Sequence, residues 1–333
     1  MSNVVVREID VRDENALHAW WEASDAAMAG RPCPELNPSW ETQRAAFTTP
    51  HPDFRQTLLA AYDGEDVVGA AIHVLPLTDN LKMSYADVTV PERHRRRGVG
   101  TALLGGAESL SRKAGRSYLV VEVVCAPGEV SAGQRFAETH GYPVANREGV
   151  KVLDLLDHPD WAPLARMVAE RGAGYRIVQW GTTTPEEHVQ AVCDALNSFI
   201  GMVPLGDLAL ENIVMTPERL RRNEERSQAI GRRKFCAAAL APDGALAGYS
   251  DLWVPPHVDH RAEIGLTMVL PEHRGHALGL ATKLATHASL LAAVPTCTTV
   301  STDNADANEH MNAVNEQMGY RLVEQQLEVQ KTL

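Results

Sequence analysis

The run Arg95-Arg96-Arg97-Gly98-Val99-Gly100-Thr101 has the residue types and the order to hold an anion. It follows an apolar strand pattern through Val88 and Val90 and opens an apolar-periodic helix pattern. A helix start offers unpaired N–H groups and the positive end of the helix dipole. Gly98 and Gly100 let the backbone approach a bulky anion. The arginines add charge and directed hydrogen bonds to phosphate oxygens. A solvated basic turn is the plainer reading of so short a run; the strand before it and the helix after it favour a phosphate cradle.

A second run stands in the same context. The segment Val88 to Leu110 (VTVPERHRRRGVGTALLGGAESL) has a partner from Thr267 to Leu290 (TMVLPEHRGHALGLATKLATHASL). Each reads as a strand, a Pro-Glu turn, a basic stretch, a small-residue turn and a helix. An apolar run follows each, Ser117 to Val124 and Thr296 to Thr302, and then a helical stretch ending in Gly141-Tyr142 or Gly319-Tyr320. Gly100 lies 41 residues before Gly141, and Gly279 lies 40 before Gly319. An offset of about 180 residues is too long for a solenoid unit and reads as one domain present twice.

These loops need elements to position them. In the first copy, VVVREI reads as a strand and ENALHAWWEASDAAM as a helix. QTLLAAYD, DVVGAAIHVLP and KMSYADVTV then read as antiparallel strands, with an Asp-Gly turn between the first two. In the second copy the strands are YRIVQW, KFCAAALAP, GALAGYSDLWV and RAEIGLTMVL, and the two helices open with Thr-Pro-Glu. Lys151 to Leu156 reads as the closing strand of the first copy. The expected fold is α/β with a mixed sheet, divided as 1–157, a linker helix at 158–174, and 175–333.

Composition limits the function. The chain has 333 residues, net charge −12 and 44% hydrophobic residues. So acidic a chain is not expected to bind nucleic acid, which needs clustered Lys and Arg. The five cysteines are scattered and never in a CxxC pair, which excludes a disulfide scaffold or zinc ribbon. His257 with His260, and His273 with His276, lack companions at ligand spacing, so no metal is expected. No apolar run reaches membrane-spanning length, and the start lacks a signal-peptide pattern, so a cytoplasmic protein is expected.

The Arg-x-x-Gly-x-Gly loop after a fourth strand resembles the acyl-CoA signature of the GNAT superfamily of N-acyltransferases. The resemblance covers the whole chain as two tandem domains, an arrangement similar to the mycothiol synthase-like acetyltransferases of actinobacteria. It implies acetyl-CoA as co-substrate, a small-molecule primary amine as acceptor, and a monomer or homodimer. It implies that Val88 and Val90 lie along the pantetheine arm. The pyrophosphate would then lie on Arg95, Arg96, Arg97, Gly98, Val99, Gly100 and Thr101. In the second copy the matching residues are Arg274, His276 and Gly279, with Ala277 where the first glycine belongs. That loop either binds CoA or is kept for packing.

The same resemblance implies a carboxylate base on the central strands and a tyrosine acid four residues before the last helix's glycine. The tyrosine positions hold Ala137 and Asn315. Candidate bases are Asp87 and Glu122 in the first copy and Glu263 in the second, with Asp251 beside it as a substrate contact. Each could instead be the solvent-facing residue of an antiparallel strand. Asn308 and Asn315 share a helical face; Asn308 is a candidate donor-site residue and Asn315 a candidate catalytic one, with a surface helix capped at Asn304 as the alternative. Asp207 is a candidate ammonium ligand or a plain loop acid. The rival to an enzyme is a non-catalytic CoA-binding scaffold, which the missing tyrosines favour.

Overall fold

The computed structural model describes residues 4–333. The elements, in chain order, are β1 (Val5–Glu8), α1 (Glu14–Met28), α2 (Trp40–Thr48), β2 (Phe54–Asp63), β3 (Asp66–Pro76), β4 (Met83–Thr89), α3 (Val99–Lys113), β5 (Tyr118–Cys125), α4 (Ala132–Thr139) and β6 (Val144–Asp154). They continue with α5 (Ala162–Arg171), β7 (Arg176–Trp180), α6 (Val189–Phe199), α7 (Pro217–Ala229), β8 (Arg233–Leu240), β9 (Leu246–Val254), β10 (Arg261–Val269), α8 (Leu278–Ala293), β11 (Thr299–Ala305), α9 (Glu309–Met318) and β12 (Arg321–Thr332). Local signals explain several bounds. Asp13 caps α1 by accepting from the Asn15 and Ala16 amides, and Thr216 caps α7 one residue before Pro217.

The chain forms two compact units that interleave in sequence. The first takes the stretch up to Gly149, then Leu205–Glu211 and Val323–Leu333. The second takes Val150–Pro204 and Asn212–Leu322. This differs from the contiguous division at 157 and 175. The closing strand of the first sheet is not Lys151 to Leu156. It is β12, from the far end of the chain, antiparallel to β5 from Gln325↔Cys125 to Thr332↔Tyr118. The residues of β6 from Val150 onward belong to the second unit. Both strands are apolar and alternating, so either could cover the same face.

In the first unit the strand order is β1-β2-β3-β4-β5-β12, antiparallel except for β4 with β5. Leu104 and Ala107 of α3 pack on Leu119, Val121, Val123, Leu327 and Val329. On the other face Leu17 and Trp20 of α1 pack on Leu58, Ala60 and Ala70. The segment 205–211 lies across that second face further along. Leu208 packs with Met83 and Val120, while the amides of Asp207, Ala209 and Glu211 donate to Ala145 O, Gln330 Oε1 and Asn80 Oδ1 at 2.8, 3.1 and 2.7 Å. Gly206 has φ +57°, and a Cβ there would lie 2.1 Å from Ala145 O, so the strap requires glycine.

The second unit repeats the plan with strand order β6-β11-β10-β9-β8-β7. Its β10 and β11 are parallel. Leu280 and Leu290 of α8 pack on Leu252, Val254 and Ala262, and α5 adds Leu164, Met167 and Val168 to the same core. Among the described residues, no helix is long and apolar enough to cross a membrane.

Candidate active site

In the first unit the parallel ladder between β4 and β5 ends at Ala86↔Val121. Beyond it, β4 stays paired with β3 through Thr89 and β5 stays paired with β12 through Cys125, so the two strands part. Directly above the opening comes the basic loop. Arg96 and Gly98 hold φ of +63° and +83°, and α3 starts at Val99. The helix start therefore faces the mouth of the splay with Arg95, Arg96 and Arg97 exposed. The Arg95 Nε donates to Val90 O at 2.9 Å, which ties that side chain to its own loop. Gly100 is needed for space, because a Cβ there would lie 3.3 Å from the Phe136 ring. Thr101 Oγ1 and His140 Nε2 are 3.1 Å apart. The Val88 and Val90 side chains pack into the core beside Val99 and Leu103, so their backbone is what could meet a ligand.

Asp87 and Glu122 flank the first open rung. Asp87 is exposed at the surface yet crowded by surrounding protein, and that desolvation pushes its carboxyl up to about 6. Glu122 is exposed and shares a rung with Glu328 on β12. Asn146 Nδ2 donates to Glu328 Oε2 at 2.8 Å and to Glu148 Oε1 at 3.3 Å. The Tyr85 hydroxyl, two residues before Asp87, is pushed up to about 12, by burial first and then by Glu328 and Asp79. Ala137, at the expected acid position, is buried against apolar neighbours. Asp207 is exposed on the strap of the first unit, and Asp251 belongs to the second.

The second unit keeps the loop's backbone with its glycine moved. Gly275 and Ala277 hold φ of +87° and +55°, matching Arg96 and Gly98 in position. Arg274 is exposed, and Gly279 is buried within 3.5 Å of Val269 at its missing Cβ. His276 is exposed beside this loop, with one ring nitrogen engaged. Its Nδ1 lies 3.2 Å from Arg171 O at the end of α5, and its ring lies 5.1 Å from that of Tyr175. Here too the parallel ladder stops early, at Glu263↔Ser301, and a bulge follows at Gly265.

The asparagines of the second unit take structural places. Asn308 caps α9, accepting from the Met311 amide at 3.2 Å, and Asn304 does not. Asn315 is fully buried. Its Oδ1 accepts from Lys283 Nζ at 2.6 Å, and its Nδ2 donates to Asn304 Oδ1, which also accepts from Lys151. Lys283 is fully buried too, and burial, with Lys151 nearby, pulls its ammonium down to about 7. Sequence reading missed Lys283. The signal was a lone lysine between Leu280 and Leu284 on an apolar helix face. Glu263 lies 3.9 Å from Arg261, and Asp251 pairs with Lys234 at 2.6 Å. Among the described residues, no group of three His, Cys, Asp or Glu is placed to hold a metal ion.

Residues 16–142 match the acetyltransferase (GNAT) family. A solved tandem GNAT protein from the clavulanic acid biosynthesis pathway is 28% identical, with a TM-score of 0.80 over 99% of this chain and 98% of that one. The whole chain thus has the fold of a tandem GNAT protein. A mycothiol acetyltransferase of Kocuria rhizophila is 28% identical over 155 residues, 46% of this chain. That match spans 47%, about half, of the relative's length. A GCN5-related N-acetyltransferase from Sphaerobacter thermophilus shares the fold, with a TM-score of 0.67 at 17% identity over 99% of this chain and 95% of that one. In this fold the splay and the loop thus occur twice, once in each unit.

Proposed function

We propose that the protein transfers an acetyl or other short acyl group from acetyl-CoA to a primary amine of a small molecule, and that the donor binds in the first unit. The observation that carries this is the parting of β4 and β5 directly below an arginine-rich helix start. The loop amides and Arg96 and Arg97 hold the pyrophosphate, and the pantetheine arm follows the β4 backbone into the splay. The amine attacks the thioester carbon directly, without an acyl-enzyme. Asp87, poised near 6, takes the ammonium proton, directly or through water, and Glu122 stands on the same open rung as a second acceptor. The leaving thiolate takes its proton from water, since Ala137 has none to give.

The acceptor side of this splay is acidic. Asp87, Glu122 and Glu328 lie on neighbouring strands, with Glu148 tied to Glu328 through Asn146. Carboxylates facing one another across strands repel. A cationic amine offsets that repulsion, which supports the amine reading. The second unit is the weaker donor site, because α5 engages His276 at its loop. Acetyl-CoA and small amines are cytoplasmic metabolites, so we place the reaction there.

Calorimetry with acetyl-CoA tests this. One site per chain is expected, lost in Gly98→Trp and kept in Gly279→Trp, with turnover on a panel of amines. No binding to the wild-type chain would leave a scaffold built from two GNAT folds.

A further inference from the structure

Away from the proposed donor loop, the second unit holds several buried polar atoms that its folding leaves unmatched, and two of them lie beside Trp253. Asp251 on β9 is 7% exposed. Its Oδ2 is paired, with Lys234 Nζ at 2.6 Å and the Tyr249 hydroxyl at 3.2 Å. Its Oδ1 is buried and, among the described residues, has no hydrogen-bond partner. That oxygen points at Gly265, the bulge residue above the β10–β11 splay, and a Cβ on Gly265 would lie 2.5 Å from it. Gly265 is itself exposed, so at this residue backbone without a side chain covers the buried oxygen.

The second atom is Arg232 Nε, also buried and without a partner. The Arg232 guanidinium lies flat against Trp253, its Cζ 3.9 Å from the ring centroid. Burial lowers its basicity while Glu263 and Asp251 raise it. Trp253 Cδ1 is 3.5 Å from the Gly265 Cβ position, so Arg232 and Asp251 Oδ1 flank one indole. Leaving such groups unpaired costs stability, and a bound water, ion or ligand is a common reason that they persist.

We propose that this face of the second unit binds an amino-acid-like molecule: a carboxylate with an N–H donor on the adjacent carbon. The guanidinium offers a planar donor fork suited to the carboxylate. Asp251 Oδ1 can only accept, and it takes the N–H. The indole forms the apolar wall between them. Lys234 already balances the Asp251 charge, so the donor need not be charged. A free amino acid and an N-acylated one share the recognised chemistry. The proposal is independent of where the donor binds.

The test is calorimetry on the full chain with common α-amino acids and their N-acetyl derivatives. The matching amines without a carboxylate, and carboxylic acids without nitrogen, serve as controls. At least one member of either series is expected to bind at least tenfold tighter than both of its controls. The series that binds tells free from acylated ligand. Arg232→Met is expected to lose at least tenfold in affinity while the chain still melts cooperatively, with a lower Tm from the lost stacking on Trp253 and the lost attraction to Glu263 and Asp251. Gly265→Ala is expected to lower affinity as well, by placing a Cβ 2.5 Å from Asp251 Oδ1, and to lower Tm through the same close contact. Gly98→Trp is expected to leave this binding intact, which separates the site from the donor loop. Absence of binding in both series overturns the proposal. So does equal binding of plain carboxylic acids, or an Arg232→Met chain that binds as before.

Discussion

Asp87 links the proposed reaction to pH. A base must be ionised to act, and desolvation holds this carboxyl at about 6. Activity is therefore expected to rise as pH climbs through 6. Asp87→Asn is expected to cut kcat/KM by about 100-fold or more and to remove that acid limb. The linkage to stability has the opposite sense. The folded-state value lies above the ordinary 3.8, so the ionised cleft carboxylate costs stability above pH 6, and the cost fades as pH falls toward 4. Asp87→Asn should thus melt later than wild type at pH 7 and match it near pH 4. A variant that keeps the limb near 6 would move the base to another group, Glu122 first. At this scale the sequence showed which residue types could react but not their surroundings. Asp87 and Glu122 were visible as carboxylates in apolar strands. Nothing in RRKFC marked Arg232 as unpartnered, and the asparagines of α9 looked alike until one proved a cap and another a buried partner of Lys283.

Turns and strands carry a different kind of information. The two basic loops share a backbone although their glycines do not align, with Arg96 and Ala277 each holding a left-handed residue where the other loop has glycine. A non-glycine residue in that region is strained by about 1 kcal/mol. Ala277→Gly should relieve the strain and stabilise the second unit by about that amount, offset in part by the freer unfolded chain. Chemical denaturation measures it, and an unchanged or lower midpoint would mean that the alanine methyl makes packing worth more than the strain. The loops were legible because their order of strand, turn and helix follows from local pattern. Element spans were legible for the same reason: the run from Asp66 to Pro76 was read as a strand and is β3. The N-cap of α9 was misplaced at Asn304, because Asn304 and Asn308 are equally good caps in sequence.

Connectivity at the scale of the whole molecule was the least legible feature. A repeat announces two folds but does not say which strand completes which sheet. The alternation in β6 and in β12 fits either one. The structure gives β12 to the first unit, with eight rungs against β5 and with Leu327 and Val329 fully buried. Glu324, also fully buried, accepts from Arg31 Nε at 2.9 Å and from the Cys33 amide at 2.7 Å. A chain cut after Asp157 therefore lacks a strand of its sheet, the partner of Arg31, and the strap that covers Met83 and Val120. It leaves β5 as a long, apolar, unpaired edge, which favours aggregation over folding. Residues 1–157 alone are expected to give no cooperative melt and no acetyl-CoA binding. The same fragment with Arg321–Leu333 joined through a flexible Gly/Ser linker is expected to melt cooperatively, because the missing edge is then supplied within one chain. Calorimetric melting of both fragments decides it. A cooperative transition in the bare fragment would show that β6 can turn back and close the first sheet by itself.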